Sequence, residues 1–388
     1  KDKKVLNVPA LRFPEFTGEW KFVHLKDVAE FQKKRISSDL LNNNNYISTE
    51  NILQNFEGIQ YSSSIPTNTN VIEYQKGDIL LSNIRPYLKK VWFSDRKGGC
   101  SADVFVLRGD KCDQHFLYYV IASDRFINYV MSGVKGVKMP RGDKSQMEKY
   151  AFSIPTNTEQ RKIAKFLSML DERIKLQNKI IEDLRLLRDA IMVEHYRKCN
   201  KSELYIYDIG EPFNVMNLSK DDLTKDGSPC IIYGELFTTY GCVIENVVSH
   251  TTKSPNSTLS TKGDLLFPAS TTVDALSLIA PSSINEDGII LGGDMFGIHV
   301  NEQYNSNYLS YYFNIIGKKN LAKFAKGSTI IHLHYADIQK AKITLPNKNE
   351  QETVANLLLK VEHKLNIEQK MLINYLNTKN FLLRQMFI

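Results

Sequence analysis

The sequence predicts an α+β protein made of two similar mixed domains, each followed by a long α-helix. Two observations support this prediction. The stretch SIPTNTEQRKIAKFL (Ser153–Leu167) returns as TLPNKNEQETVANLL (Thr344–Leu358), 191 residues later in a chain of 388. A second pair, KGDILLS (Lys76–Ser82) and KGDLLFP (Lys262–Pro268), recurs at a spacing of 186. Repeats this far apart indicate a duplicated domain-plus-helix unit, because solenoid repeats span only about 20–50 residues.

Each predicted domain contains short strands between turn residues. In the first domain, residues 1–155, these strands are DILLS, KVWFS and DVFVLRG. In the second domain, residues 200–346, they are GDLLFPAS, LSLIA and MFGIHV. The Gly-Asp of each KGD motif predicts a turn into a buried strand. An aromatic amphipathic helix is predicted next, over FLYYVIASDRFINYVMSG and over YLSYYFNIIGKKNLAKFAKG.

Two long helices are predicted over residues 156–199 and 347–388, which neither glycine nor proline interrupts. Thr156 followed by Glu159 fits a capping box at the first start, and the second start repeats the pattern from Asn347. A proline precedes each cap and biases the residue before it away from helix. Each helix would extend roughly 57–60 Å at about 1.5 Å per residue.

Apolar residues recur at seven-residue steps along both helices, with charges beside them, which favours two helices packed on each other. The alternative is that each helix lies separately on its own domain. Gln177 and Glu368 interrupt the apolar rows at matching positions, which suggests register control or contact with a local partner. The predicted interface residues are Ile163, Leu167, Leu170, Ile174, Ile181, Leu184, Val354, Leu358, Val361, Leu365 and Leu372.

Composition excludes several classes of protein. An apolar content of 42% with 24% charged residues is typical of a soluble, well-packed protein. No run approaches the roughly 20 apolar residues of a membrane span, and no signal peptide heads the sequence. The 5 cysteines are odd in number and lack CxxC spacing. We therefore expect reduced thiols in a cytoplasmic protein, with neither a disulfide framework nor a metal site.

The net charge of +7 is unevenly distributed. Residues 1–200 carry +9, residues 201–300 carry −8, and residues 301–388 carry +6. A pI near 8.9 is weak evidence for a polyanionic partner. The position of the cations is therefore more informative than their number.

A glycine loop rich in cations or hydroxyls ends each predicted domain: GVKGVKMPRGDKS in the first and AKGSTIIHLHYADI in the second. Gly136 and Gly327 are again 191 residues apart. Glycine lets a backbone approach a partner closely, and Lys, Arg, Ser and Thr contact phosphates and base edges. A solvated charged loop is the plain alternative. The predicted DNA-binding residues here are Lys135, Lys138, Arg141, Lys144, Lys326, Ser328, Thr329 and His332.

Three other stretches add weaker candidates for DNA binding, which ordinary loop chemistry would also explain. SNIRPYLKKVWF interleaves cations with aromatics, and YGELFTTYG and ASTTVD offer hydroxyls. The candidate residues are Arg85, Tyr87, Lys89, Lys90, Tyr240, Ser270, Thr271 and Thr272.

Motifs for catalysis are missing. The sequence holds no Pro-Pro, hence no NPPY or DPPY motif of an adenine or cytosine methyltransferase, and no FxGxG cofactor turn. It holds no GxxxxGK[ST] and no HExxH. We predict no catalytic residue and no bound cofactor. The residues alone thus indicate a two-domain nucleic-acid binder linked by a coiled coil.

These features together resemble the specificity subunit of type I restriction–modification enzymes, over essentially the whole chain. The resemblance is carried by RFPEFTGEWKFVHLKDVAEF near the start, YISTENI (Tyr46–Ile52), the two KGD strands and the two helix starts containing Glu-Gln. The second half departs from the pattern at one point, because its entry, which should read W-x-x-x-x-L, is reduced to ELYIYDIGEPF.

The resemblance implies two target-recognition domains, each reading one half of a bipartite double-stranded DNA sequence. It also implies that the long helices pack antiparallel as a spacer; pseudo-twofold symmetry follows from the duplication. Two methylation subunits would bring S-adenosylmethionine and adenine-N6 methyl transfer, and restriction subunits would bring ATP and magnesium. A scaffold or regulator without a methyltransferase partner is the alternative, and a stand-alone enzyme is a weaker one.

Overall fold

A computed structural model of the protein describes residues 7–134, 138–215, 218–252 and 258–388. These residues form two compact units. The first unit contains the described residues up to Leu176 together with Leu372–Ile388, and the second contains Gln177–Met371. Each long helix therefore contributes one part to each unit. The segment boundaries drawn from the sequence stay a prediction.

The first domain contains two four-stranded sheets and a two-stranded ribbon. Its strands are β1 (Lys21–His24), β2 (Ala29–Phe31), β3 (Arg35–Ser37), β4 (Tyr46–Ile47), β5 (Asn70–Tyr74), β6 (Ile79–Ser82), β7 (Val91–Phe93), β8 (Gly98–Cys100), β9 (Val104–Gly109) and β10 (Ala151–Ile154). Its helices are α1 (Leu25–Val28), α2 (Gln114–Ile121), α3 (Asp124–Met131) and α4 (Lys144–Glu148). The sheets have the orders β2-β9-β6-β7 and β3-β5-β8-β4, and β1 pairs with β10.

The first long helix, α5 (Asn157–Lys198), leads to the second domain, which repeats this plan with two five-stranded sheets. Its strands are β11 (Ser202–Tyr205), β12 (Gly210–Asn214), β13 (Leu223–Thr224), β14 (Ser228–Ile232), β15 (Val243–Ile244), β16 (Ser249–Thr251), β17 (Thr258–Leu259), β18 (Asp264–Pro268), β19 (Ser270–Thr271), β20 (Ser282–Ile284), β21 (Ile290–Gly292), β22 (Met295–Val300), β23 (Ile331–His332) and β24 (Lys342–Leu345). Its helices are α6 (Glu235–Thr238), α7 (Ala275–Leu278), α8 (Ser306–Ile315), α9 (Lys318–Ala322) and α10 (Tyr335–Ile338).

The sheets of this second domain have the orders β12-β22-β18-β20-β15 and β13-β16-β14-β21-β17. Two ribbons accompany them: β11 with β24, and β19 with β23. The second long helix, α11 (Lys348–Gln385), follows the domain. The predicted fold class is thereby confirmed: two repeated mixed domains, each followed by a long helix.

Each KGD motif forms the predicted turn into a buried strand. Gly77 and Gly263 have left-handed backbones, with φ of 91° and 93°. In β6, Ile79 and Leu81 lie in the larger core of the domain and Leu80 in a smaller second core. The strand is apolar throughout because successive side chains point to opposite faces and both faces are buried. In β18 the same alternation separates Leu265 and Phe267 from Leu266.

A buried glutamine ties each long helix to its domain. Gln160 Nε2 donates to the Pro155 carbonyl at 2.9 Å, and its Oε1 accepts from the Asp113 N–H at 2.8 Å. Asp113 is the residue that caps the start of α2. The Gln of the Glu-Gln at the helix start is therefore a structural latch that fixes α5 against the start of α2.

The two long helices run antiparallel within each unit, as predicted. In the first unit, Lys379 Nζ of α11 lies 2.6 Å from Asp171 Oδ1 of α5. In the second, Arg188 Nη1 lies 3.4 Å from Glu362 Oε2, and Gln177 Nε2 donates to the Glu368 carbonyl at 3.0 Å. Within the second unit, later residues of α5 meet earlier residues of α11, which defines the direction.

The predicted helix–helix residues divide into two groups. Ile163 and Leu167 lie in the core of the first domain, and Val354 and Leu358 in that of the second. Ile181 and Leu365 are also buried, whereas the remaining predicted positions are half-buried: Leu170, Ile174, Leu184, Val361 and Leu372. Parts of the heptad rows thus complete the domain cores.

Two local expectations are corrected. The predicted aromatic helix is broken in each domain, into α2 and α3 and into α8 and α9. In the first domain, Ser123 Oγ accepts from the Phe126 N–H at 3.2 Å and so starts a new helix. The carboxylate of Glu159 does not close a capping box with Thr156, because both its oxygens accept from Arg12 at 2.7 Å.

Candidate nucleic-acid interface

In the first domain, two predicted DNA-binding stretches meet although about 50 residues separate them in sequence. Ile84 and Arg141 form an isolated antiparallel bridge. The Arg85 N–H donates to the Pro140 carbonyl at 2.8 Å, and the Gly142 N–H donates to the Asn83 carbonyl at 3.0 Å. The basic turn after β6 and the glycine loop before α4 therefore form one surface, which we call the first ribbon (residues 83–90 and 138–142).

Of the predicted DNA-binding residues in the first ribbon, Arg85, Tyr87, Lys138 and Arg141 are exposed. Arg141 remains 54% exposed, and its Nη1 lies 3.3 Å from Asp103 Oδ1. Arg85 and Lys89 adopt left-handed backbones with φ of 50° and 55°. Such conformations are uncommon for residues with a Cβ and often occur where the chain presents side chains to a ligand. The ribbon thus offers arginines, a lysine and an aromatic ring to solvent.

The other predicted cations of this domain have internal partners. Lys89 Nζ lies 2.6 Å from Asp124 Oδ1, and Lys90 Nζ donates to the Thr49 carbonyl at 2.7 Å. Burial lowers the pKa of Lys90. Lys144 Nζ sits 5.0 Å from the centre of the Phe31 ring. A phosphate would have to compete with these contacts. Lys135 and Gly136 lie outside the described residues.

The second domain builds the same arrangement, which we call the second ribbon (residues 270–273 and 326–332). Ser270 pairs with His332 across β19 and β23, and Thr271 pairs with Ile331. Lys326 and His332 exchange main-chain hydrogen bonds of 2.9 and 2.7 Å and close a tight hairpin. Residues 327–330 form its exposed tip.

Glycine is required at the hairpin of the second ribbon. Gly327 has a φ of 119°, and a Cβ there would lie 2.0 Å from the Ile330 carbonyl oxygen. A side chain would therefore force the hairpin open. Gly327 was predicted to allow close approach of the backbone to a partner. The structure shows that it is needed for the shape of the hairpin itself.

Exposed hydroxyls and imidazole dominate the second ribbon. Thr272, Ser328, Thr329 and His332 are exposed, Thr271 is half-buried and Ser270 is buried. Lys326 is exposed but forms an ion pair with Asp337. The rings of His332 and His334 stack with their centres 6.2 Å apart. Tyr240 packs against the smaller core of the domain: its hydroxyl accepts from the Val248 N–H at 3.2 Å, and burial raises its pKa to about 12.

The two ribbons are equivalent in the duplication. Ile84 and Ser270 are separated by 186 residues, the spacing of the KGD motifs, and Arg141 and His332 by 191, the spacing of the glycines. Equivalent positions are therefore paired in both domains. The sequence analysis selected all four stretches as separate candidates, and in the structure they pair two by two to form the two ribbons.

Sequence reasoning missed several exposed residues beside the ribbons. Met139 in the first and Val273 and Ile330 in the second are apolar and exposed, Val273 by 71%. Exposed Lys319 and Lys323 precede the second hairpin. The available signal was their position in or near the selected stretches: the glycine loops and, for Val273, ASTTVD. The described residues contain no cluster of His, Cys, Asp and Glu that could hold a metal ion. No helix among them is long and apolar enough to cross a membrane.

Comparison with known proteins places this geometry in a family. The model of the type I restriction modification DNA specificity domain matches residues 17–186 and again residues 206–377. The MjaVIII type I restriction enzyme specificity subunit of Methanocaldococcus jannaschii is 24% identical over 409 aligned residues, covering 95% of this chain and 92% of the relative.

Solved structures agree on the fold. The S subunit of a type I restriction–modification system from M. genitalium superimposes with a TM-score of 0.65 at 16% identity, covering 98% of this chain and 99% of that one. A chain from a study of complex assembly and conformational transition in the type I system gives a TM-score of 0.53 at 16% identity, covering 94% and 96%.

Proposed function

Because the chain belongs to the type I restriction–modification DNA specificity family, a family of non-catalytic recognition subunits, we propose that its two ribbons each read one half of a split DNA sequence. The observation that supports this is the recurrence of the same pairing, Ile84 with Arg141 and Ser270 with His332, in both domains. A two-stranded element fits the major groove of B-DNA, where base edges can be distinguished.

The long helices would set the distance between the half-sites. α5 spans 42 residues and α11 spans 38. At about 1.5 Å per residue these helices are roughly 57–63 Å long, and a continuous helix is a stiffer spacer than a loop. Since each domain core contains residues of both helices, a change in helix packing would be transmitted to both domains and so to their ribbons.

The helices also offer a docking surface for methylation subunits. They expose large apolar side chains at Phe166, Met169, Leu176, Leu186, Leu187, Val193, Leu357, Ile367, Met371, Ile373, Leu376 and Phe381. Exposed apolar residues in such number are typical of helices that bind a protein partner. S-adenosylmethionine would arrive with the methylation subunits, and ATP and magnesium with restriction subunits.

Reconstitution with purified subunits tests this division of labour. The isolated chain should bind duplex DNA and should transfer no methyl group from radiolabelled S-adenosylmethionine. Addition of the cognate methylation subunit should give adenine methylation. Methyl transfer by the chain alone, or a methylation subunit that works equally well without it, would contradict the proposal.

A further inference from the structure

A buried polar contact lies between the two long helices. Gln177 is 3% exposed and Glu368 is 5% exposed. Gln177 Nε2 donates to the Glu368 main-chain carbonyl at 3.0 Å and also to its carboxylate. Lys364, one turn earlier on α11, forms an ion pair with the other carboxylate oxygen. Each polar side chain therefore has a hydrogen-bond partner at a place that apolar residues would otherwise fill.

The two residues are counterparts in the duplication, because 191 positions separate them. A position of the first helix thus contacts its own equivalent in the second. The apolar row that Gln177 interrupts continues at Leu170 and Leu184, and the row of Glu368 continues at Val361 and Tyr375. At this contact a polar residue takes the place of an apolar one in each row.

We propose that the contact between Gln177 and Glu368 fixes the register and the pairing of the two long helices. Sliding the helices by one heptad would place Glu368 opposite Leu170 or Leu184. Removing a carboxylate from water against an apolar side chain is strongly unfavourable, whereas the native register provides an amide donor. A single polar pair in an apolar seam is a known device for selecting one register at a cost in stability.

The other cross-helix ion pairs do not select a partner. Asp171 and Glu362 are counterparts 191 residues apart, and so are Arg188 and Lys379. In this register any antiparallel pairing of these helices, including two copies of the same helix, would therefore set an acid against a base. Among these cross-helix polar contacts, the central one joins unlike residues: two copies of α11 would bring two Glu368 carboxylates together. The central contact thus favours α5 with α11 over a pair of α11 helices.

The chain itself supplies a control for this proposal. Arg173 lies one turn before Gln177, at the position that Lys364 holds before Glu368. Exchanging the two residues, Gln177→Glu with Glu368→Gln, should re-form the contact in reverse with its own neighbouring cation. Gln177→Glu alone should place two carboxylates together and lower the melting temperature by about 5 °C. The exchange should restore it.

Replacing both residues by leucine separates register from stability. In Gln177→Leu/Glu368→Leu the melting temperature should stay the same or rise, since an apolar pair removes the desolvation penalty. The register should lose its uniqueness. Spin labels at exposed Lys179 and Lys360, in full-length chain carrying Cys199→Ser, report the register by electron–electron distance measurement. A one-heptad slip moves one label by about 10 Å along the axis.

The expected result is one distance in the wild type and in the exchanged variant, and additional distances in the leucine variant. A single native distance in the leucine variant, or an exchanged variant that stays as unstable as Gln177→Glu, would overturn the proposal. The consequence for half-site separation rests on the proposed function: methylation by the leucine variant should tolerate more than one spacer length. The label distances involve no DNA, so either idea can fail without the other.

Discussion

Gln160 in the first domain and Gln351 in the second make the same two contacts, although the surfaces that their domains present differ. Gln351 Nε2 donates to the Pro346 carbonyl at 2.8 Å, and its Oε1 accepts from the Asn305 N–H at 2.9 Å. Asn305 caps α8 as Asp113 caps α2. The contacts that fix each helix to its domain are the same in both halves, so both domains are attached to the long helices in the same way.

The entries to the two domains differ beside this shared latch. Glu159 is buried, where it accepts from Arg12 and, at 3.3 Å, from the Trp20 indole. Its counterpart Glu350 is half-buried and serves the helix start, with its N–H donating to Asn347 Oδ1 at 3.0 Å. The second domain has no tryptophan at its entry. The glutamine contacts are therefore the same in both domains, whereas the contacts of the neighbouring glutamate differ.

The two ribbons differ more than these contacts do. The first ribbon presents arginines and a tyrosine, whereas the second presents hydroxyls, imidazole and the exposed apolar side chains of Val273 and Ile330. Arginine pairs best with guanine, and small apolar groups contact the thymine methyl. We therefore expect the two half-sites to differ in base preference, which makes the comparison of the domains testable on DNA.

The largest effect on the methylated sequence is expected from exchanging a whole domain. Replacing residues 201–345 by the corresponding domain of a relative should change one half of the methylated sequence completely and leave the other half as it was. Sequencing of modified adenines in cells that express the chimaera with its methylation subunits gives the result. A change in both halves together would break the comparison, because the readers would not be independent.

The shared latch predicts equal losses of stability in the two domains. Gln160→Leu and Gln351→Leu each leave a buried N–H and a buried carbonyl without partners, which should cost about 2–4 kcal/mol. Chemical denaturation followed by fluorescence measures both variants. Half-buried Gln339 serves as the control, and its replacement by leucine should cost little. A loss confined to one domain would show that the latch is not shared.

Each domain has a buried aspartate at the equivalent position, but the two aspartates have different partners, so their contributions to stability should depend differently on pH. Asp78 is bound by Arg108 through two contacts of 2.7 Å, whereas its counterpart Asp264 lies 2.6 Å from His299 Nδ1. Burial raises the pKa of Asp264, although the Thr261 N–H and His299 oppose the shift. The folded state thus binds this proton more tightly than the unfolded chain, and the stabilisation is lost as pH rises through the folded pKa.

The cost of Asp264→Asn should therefore be largest in acid and shrink as the pH rises from about 4, because asparagine does not titrate. Asp78→Asn leaves Arg108 without its carboxylate and should cost about 2 kcal/mol at neutral pH, less than a fully buried pair because Arg108 is partly exposed. Denaturation midpoints at pH 4 to 7 measure both. A cost of Asp264→Asn that grows with pH would contradict the assignment.

Smaller effects should separate reading from positioning. Arg141→Ala and Thr329→Ala should each cost about 1–3 kcal/mol at a single base pair, in the first and second half-site respectively. Lys138→Ala and Lys326→Ala should weaken binding to all sequences and lower the salt slope by about 1. Binding isotherms on single-mismatch duplexes at several salt concentrations distinguish the two patterns. A uniform loss for all four variants would reject the distinction.

Local sequence signals predicted the long helices, the KGD turns and the glycine loops, because caps, apolar spacing and turn residues act over a few positions. The pairing of Ile84 with Arg141 could not be predicted in this way, since it joins loops that only the folded sheets bring together. The break at Ser123 was missed because the apolar period continues across it. The partner of Glu159, Arg12, lies 147 residues away, beyond any local pattern.

The central claim is that the two ribbons read DNA independently although both domains are attached to the long helices by the same contacts. Sequencing of modified adenines in cells tests this claim most directly. Cells that express the wild-type chain with its methylation subunits should carry methylated adenines in a motif of two specific halves separated by a spacer of fixed length and free sequence. Thr329→Ala should relax a position in one half only, and Arg141→Ala a position in the other. A continuous motif, or both substitutions relaxing the same half, would contradict the account.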